Sequence, residues 1–293
     1  MRSTRKFLTA LIIMLSAFLL AFSGCSRPES RQAGAGKKTI MVKGSDTMVH
    51  LVSTWAESFM KQSQTVQVSV TGGGSGTGIA ALINGTADIC AASREMKQEE
   101  IDQARQRSVE PREIAVALDG IAVVVNPSNP VTALTMEQLE KIYTGQYDNW
   151  SQVGGQDAPI VLLSRESSSG TYVFFQEHVL KKKDYAPSAR LMPATSAIVQ
   201  SVAADAQAIG YVGLGYAAEA GSQVRMVPVK AEDASPAVEP SEATVKSGAY
   251  SISRALYYYT NGEPQGPVKE FVDYCLGAEG QKIVRETGYI TIN

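Results

Sequence analysis

The sequence predicts an α/β protein in which mixed sheets flanked by helices form two lobes with a cleft between them. Strand-like and helix-like patterns alternate along most of the chain, which argues for parallel or mixed sheets covered by helices. Junctions of strand, glycine/serine/threonine turn and helix occur three times. Two long apolar runs, Ile121 to Val125 and Ala255 to Tyr259, bracket the middle third as two crossing strands would. On that reading residues 39–122 with 253–293 form the first lobe and 123–252 the second.

The chain begins with a targeting segment. Arg2, Arg5 and Lys6 precede the apolar run Phe7 to Phe22, and small residues follow at Ser23-Gly24-Cys25. This is signal-peptide order, and the run is shorter than a typical spanning helix. Small residues before a lone cysteine resemble the bacterial lipobox, although Phe22 stands where leucine is usual. Residues 1–24 are therefore expected to be removed and Cys25 to carry lipid, with an uncleaved transmembrane anchor the less favoured alternative. Residues 25–38 then form the lipidated N-terminus and a flexible tether, which places the fold outside the cytoplasm.

The composition of the whole 293-residue chain is that of a globular protein, with 44% hydrophobic and 19% charged residues. A net charge of −2 without a basic patch excludes nucleic acid as the main partner. Cys90 and Cys275 lie far apart, and two buried free thiols are expected; no cysteine or histidine spacing suggests a metal.

Taken in order, Thr39 to Val42 reads as a strand and Gly44-Ser45-Asp46-Thr47 as a turn. Met48, Val52, Trp55 and Phe59 then recur at helical spacing. The alternating strand Val66 to Val70 leads through Thr71-Gly72-Gly73-Gly74-Ser75-Gly76-Thr77-Gly78 to a helical face of Ile79, Leu82 and Ile83. The strand Ala87 to Ala92 ends at Ser93-Arg94-Glu95, at the strand edge where ligands of α/β sheets usually sit. A charged helix is expected from Met96 to Arg107, then strands Glu113 to Leu118 and Ile121 to Val125 split by Asp119-Gly120. Thr135 caps a helix ended by Gly145. The strand Ile160 to Leu163 precedes Ser164-Arg165-Glu166-Ser167-Ser168-Ser169-Gly170-Thr171, and a helical pattern reaches Leu180. Helix Ser196 to Ala204, strand Ala208 to Gly213, mixed structure from Lys230 to Val245, a strand from Tyr250 to Tyr259, and helices Glu270 to Leu276 and Glu279 to Thr287 complete the chain.

The three junctions carry the chemistry. Serines, threonines and glycines at a helix N-terminus leave unpaired N–H and hydroxyl donors, and the positive end of the peptide dipoles favours an anion there. Arg165 adds a planar donor fork suited to oxyanions. No phosphate-chemistry motif stands beside them, so the pattern suggests a site that grips an anion without reacting with it. An enzyme is not expected. The sequence Gly-Gly-Ser-Gly-Thr lacks the final glycine of a nucleophile elbow, and His50 and His178 read as helix-surface residues remote from any serine motif.

With these residues in hand, the chain resembles the phosphate-binding lipoproteins of bacterial ABC-type uptake systems, within the type II bilobal periplasmic solute-binding proteins. The resemblance rests on Gly44-Ser45-Asp46-Thr47, Gly74-Ser75-Gly76-Thr77-Gly78, Ala87-Asp88-Ile89 with Ser93-Arg94, Arg165 with Ser169-Gly170-Thr171, and Ala208-Ile209-Gly210-Tyr211, from about Thr39 to the C-terminus. It implies capture of inorganic phosphate and delivery to an ABC permease, with no cofactor. The implied phosphate-binding residues are Ser45, Asp46, Thr47, Met48, Ser75, Ser93, Arg94, Arg165, Ser169, Gly170 and Thr171. One position departs: the family places aspartate, acceptor of the hydrogen phosphate proton, where Arg94 stands. Asp46 and Glu166 are the candidate replacement acceptors. The alternatives are another tetrahedral oxyanion (sulfate, molybdate or tungstate) and, from a different class, a lipid-anchored serine hydrolase or phosphatase.

Overall fold

The computed structural model describes residues 37–292; the expected signal peptide, Cys25 and residues 26–36 of the tether lie outside them. The first strand, β1 (Lys38–Gly44), takes in the last residue expected in the tether. It runs parallel between β2 (Val66–Thr71) and β3 (Ile89–Ala92). Parallel neighbours need a crossover, and α1 (Val49–Gln62) and α2 (Ser75–Ile83) supply it. Leu51, Val52, Trp55, Ala56 and Phe59 form the buried face of α1, as the helical spacing predicts. Burying a side chain the size of Phe59 stabilises by about 1.5–3 kcal/mol. Trp55 also donates its indole N–H to the Gly280 carbonyl at 2.8 Å and meets Tyr258 edge-on at 5.9 Å.

Helix α3 (Gln98–Gln106) starts two residues later than its charge pattern suggests, because the Lys97 N–H is held by the Glu100 carboxylate at 2.8 Å. Next comes β4 (Pro111–Val125), a single strand where two were expected. Asp119 does not interrupt it, because the carboxylate meets Arg254 at 2.9 Å and is fully buried, while Gly120 pairs with Ser253.

The middle of the chain contains β5 (Leu134–Thr135), α4 (Met136–Tyr143), β6 (Val161–Arg165) and α5 (Gly170–His178). Thr135 caps α4 as expected, accepting the Gln138 N–H at 3.0 Å. There follow β7 (Arg190–Met192), α6 (Thr195–Ala204), β8 (Ala208–Gly213), α7 (Leu214–Ala220), β9 (Arg225–Val227) and β10 (Val229–Lys230). The stretch read as mixed strand and loop holds a short helix, α8 (Glu242–Lys246), capped by Ser241. The chain ends through β11 (Ser253–Asn261), α9 (Gly266–Leu276) and α10 (Ala278–Glu286).

The main sheet has the order β2-β1-β3-β11-β4-β8-β6-β7, with β9 also paired to β4. Strand β4 organises it. Pro111 to Gly120 pairs antiparallel with β11, and Ile121 to Val125 pairs with β8 and β9. Of the two runs expected to cross, β4 is therefore the one that pairs on both sides, whereas β11 pairs only with β3 and the first part of β4. The returning chain is stitched at Tyr250, whose hydroxyl donates to the Ile121 carbonyl at 2.7 Å, and at Ile252, whose carbonyl accepts the Ile121 N–H at 2.8 Å.

Side-chain alternation sends successive residues to opposite faces, so each part of the sheet has a core on both sides. Ile89 and Ala91 of β3 join the α1 cluster, while Cys90 and Ala92 join Ile79 and Leu82. Likewise Val123 and Val125 of β4 pack with Tyr143 and Phe175, while Ala122 and Val124 pack with Ile198 and Val202. Cys90 and Cys275 are free and buried, and burial pushes both thiols well above the ordinary thiol range. Among the described residues, no helix is long and apolar enough to cross a membrane.

Candidate functional site

Three loops meet above the crossing strand. The first follows β1. Its Ser45 N–H donates to the Ala91 carbonyl at 2.7 Å, and a 3-10 turn, Asp46–Met48, leads into α1. The Met48 N–H is used inside this turn by the Ser45 carbonyl at 3.1 Å. The second loop is the glycine-rich one before α2. Gly74 has φ +101°, and a Cβ there would stand 2.5 Å from the Ser168 carbonyl oxygen, so glycine is required both by conformation and by space. The third loop precedes α5 and is bonded to the second: the Gly76 N–H donates to Ser168 O at 3.0 Å.

This convergence brings hydroxyls together. Ser45 Oγ donates to Ser93 Oγ at 2.9 Å, and Ser75 Oγ accepts the Ser93 N–H at 3.0 Å. Thr47 Oγ1 lies 2.8 Å from Thr171 Oγ1. Ser169 caps α5, accepting N–H bonds from Thr171 at 3.2 Å and Tyr172 at 3.4 Å. Its own hydroxyl hydrogen is left to donate elsewhere. Gly170 is wedged into the group, since a Cβ on it would lie 2.2 Å from Ser75 Oγ and 2.7 Å from Ser93 Oγ. All six hydroxyl-bearing residues are at most 3% exposed.

Arg165 and Asp46 lie beside this group as a pair. Arg165 stands at the end of β6, 2% exposed. It donates to Thr195 Oγ1 at 2.5 Å, to the Met192 carbonyl at 3.2 Å and to the Pro193 carbonyl at 3.1 Å, and it sits 3.3 Å from Asp46 Oδ2. The same oxygen accepts the Thr195 N–H, the first of α6, at 2.7 Å. A carboxylate at a helix N-terminus is stabilised by the free amides and the dipole. Asp46 thus caps a helix 149 residues away in sequence. Glu166, the other candidate acceptor, is exposed.

Arg94 is bonded to a carboxylate and not to the hydroxyls. Its two terminal nitrogens grip the Glu100 carboxylate, both bonds 2.7 Å, and Nη1 also donates to the Glu95 carbonyl at 2.8 Å. Burial alone would raise the Glu100 carboxyl; hydrogen bonds from Arg94 and the Lys97 amide, with both cations nearby, outweigh it and hold the group below its ordinary 4.5. A depressed carboxyl stabilises the fold fully above its unfolded value and loses that contribution as pH falls through the folded value. Urea unfolding of Glu100→Gln should accordingly show wild type more stable at neutral pH and the gap closing below about pH 4.5. A gap that stays constant with pH would contradict this role.

Two residues escaped the sequence reading. Arg254 forms a buried pair with Asp119, donates to the Ser93 carbonyl at 2.8 Å, and donates to Thr171 Oγ1 at 2.9 Å. Burial raises the Asp119 carboxyl, and Arg254 and the Leu214 N–H only partly offset it. The available signal was a single charge inside each of two apolar runs. Such a charge needs a partner, and each was the other's.

The arrangement can hold an anion by many neutral donors. Among the described residues no carboxylate hydrogen-bonds to these hydroxyls, and no cluster of histidine, cysteine or carboxylate could hold a metal ion. His50 and His178 are exposed on α1 and α5, so neither serves a buried serine as base.

Sheet order, crossing strand and donor cluster at the strand ends define an α/β protein of the periplasmic-binding-protein type, and a family profile described as the PBP superfamily domain matches residues 29–279. The phosphate-binding protein PstS of Pseudomonas aeruginosa is 32% identical over 282 residues, covering 90% of this chain and 86% of that protein. PstS of Bacillus subtilis is 30% identical, covering 96% and 93%. The chain belongs to the PstS family of phosphate-binding proteins. Among solved structures, a putative phosphate ABC transporter substrate-binding protein with bound phosphate from Clostridium perfringens superposes with a TM-score of 0.79 at 32% identity, covering 87% of this chain and all of that one. An ABC-type phosphate transport receptor from Vibrio cholerae gives 0.69 at 31% identity, covering 86% and 99%.

Proposed function

We propose that the protein is an extracytoplasmic solute-binding protein that captures inorganic phosphate among Ser45, Thr47, Ser75, Ser93, Ser169, Gly170 and Thr171 and hands it to an ABC permease. The convergence of six buried hydroxyls from four segments, the three loops and the turn after β3, carries this reading. Relatives described as phosphate-binding proteins and transport receptors support the solute and the permease. In this reading the two parts of β4 belong to two lobes, 39–122 with 253–293 and 123–252, that close on the ion. The Arg165–Asp46 pair stands behind the hydroxyls as their charge support. A lipid on Cys25 tethers the protein to the membrane surface. No bond of the solute is made or broken.

Binding replaces hydroxyl–hydroxyl bonds, worth about 0.5–1.5 kcal/mol each, by bonds to a charged acceptor worth about 1.5–3 kcal/mol. Four such bonds reach the ~8 kcal/mol of a micromolar complex after some ordering cost. Calorimetry with phosphate, sulfate, molybdate and tungstate is the test. Micromolar heat with phosphate is expected, and no heat with any of the four sinks the reading. Sulfate is the second reading, favoured by the lack of a carboxylate bonded to the hydroxyls, since a carboxylate acceptor is what repels an anion with no proton to give. Equal affinities for phosphate and sulfate would establish it.

A further inference from the structure

One guanidinium ties together three parts of the fold that the sequence holds far apart. Arg254 is the second residue of β11 and is 8% exposed. Its Nε and Nη2 donate to Asp119 on the crossing strand, at 3.3 and 2.9 Å. Its Nη1 donates to the Ser93 carbonyl at the end of β3, and Nη2 also donates to the Thr171 hydroxyl at the start of α5. The Phe174 ring, one turn further along α5, lies 5.4 Å from the guanidinium carbon, a cation–π distance. Asp119 is locked in turn by the Leu214 N–H at 3.0 Å, the first of α7. On its other side Arg254 borders a cavity of about 520 Å³ between α5 and the turn after β3.

The hydroxyl geometry gives this pair a direction. Guanidinium only donates, and a threonine hydroxyl has one hydrogen. Because Thr171 Oγ1 accepts from Arg254, its hydrogen faces away from the cation, and the neighbour within reach is Thr47 Oγ1 at 2.8 Å. With Thr171 as the donor, the charge polarises these two hydroxyls in one direction, from Arg254 through Thr171 to Thr47. An anion at the end of such a pair meets donors already oriented, with no reorganisation on binding.

We propose that Asp119 and Arg254 form a positioning latch: the pair orients the Thr171 and Thr47 hydroxyls toward the bound anion and, by spanning Ser93 and Thr171, holds α5 against the turn after β3 while the ion is enclosed. The orienting half rests on the phosphate reading above; the holding half does not. Arg254 acts through Thr171 and Ser93, so its loss shows in how long the ion stays more than in how fast it arrives.

The test uses Arg254→Lys, which keeps the charge beside Asp119 but cannot span three acceptors with one ammonium, and Asp119→Asn combined with Arg254→Gln, which removes the pair without stranding a buried charge. Radiolabelled phosphate is bound and chased with unlabelled phosphate. Both variants should release it about tenfold faster or more, the scale of a lost charge-assisted hydrogen bond, with association within about threefold of wild type. Unchanged release overturns the orienting role. Amide hydrogen exchange without phosphate decides the holding role independently. Exchange at residues 170–174 should quicken in Arg254→Lys while α1 stays protected, and equal exchange there overturns the latch. Should wild type bind no phosphate at all, the proposed solute falls, and the exchange result alone still decides whether the latch exists.

Discussion

Replacing Gly170 by alanine is expected to lower phosphate affinity by about a hundredfold or more and to destabilise the ligand-free chain by about 1–3 kcal/mol. The added Cβ would stand 2.2 Å from Ser75 Oγ, 2.7 Å from Ser93 Oγ and 2.9 Å from Ser75 Cβ. None of these can yield cheaply. Ser75 opens α2, with its Oγ fixed by the Ser93 N–H, and Ser93 closes β3 with its own Oγ held by Ser45. The methyl group therefore drives α5 and the turn after β3 apart by an ångström or so, and misplacement on that scale is enough to forfeit most of an oriented donor set. Gly170 has no positive φ and leads a helix, where alanine is favoured, so the cost to the ligand-free chain comes from the clash and not from backbone strain. Titration with phosphate and a thermal melt separate the two effects; a variant that binds like wild type would mean the three loops do not enclose the ion.

Arg165→Ala is expected to lower phosphate affinity at least tenfold and also to destabilise the fold. A sequence-only view gives just the first, because an arginine beside a polar turn reads as a free anion fork. The structure adds that this fork serves the Met192 and Pro193 carbonyls, the Thr195 hydroxyl and Asp46. Removing it orphans buried acceptors and leaves Asp46 without its cation. Asp46 keeps some access to water, with its side chain 18% exposed, so the loss belongs at the lower end of a broken buried pair, about 3 kcal/mol. Arg165→Lys should recover part of the affinity but little of the stability, since one ammonium cannot replace three directed donors. Urea unfolding and phosphate calorimetry on both variants check this. A loss of affinity with full stability would show that Arg165 faces the ion directly and that its protein contacts are incidental.

Much of the architecture was legible from local pattern. The spacing of Val52, Trp55 and Phe59 announced α1, Thr135 announced the start of α4, and the three polar junctions announced which helix ends would meet. Errors fell where a long-range partner overrode a local signal. Asp119-Gly120 looks like a break in a strand, and it is one unless Arg254 lies opposite; with that partner in place, β4 runs through. For Arg94 the local pattern named no partner, and the fold gives two of its nitrogens to Glu100, six residues on in the next helix. Asp46 was identified as a candidate acceptor, and its role at the start of α6 could not be seen, because α6 reaches it only through the folded sheet.

The order of elements, the donor-rich helix starts and membership of a phosphate-binding family were all present in the amino-acid sequence, because each depends on periodicity or on residues that stand side by side. Which donors remain free for a ligand and which are spent on the protein was decided by tertiary structure alone. Hydrogen bonds and ion pairs form between whatever groups folding brings within about 3 Å, and Asp119 and Arg254, 135 residues apart, share no local pattern that could have announced their meeting.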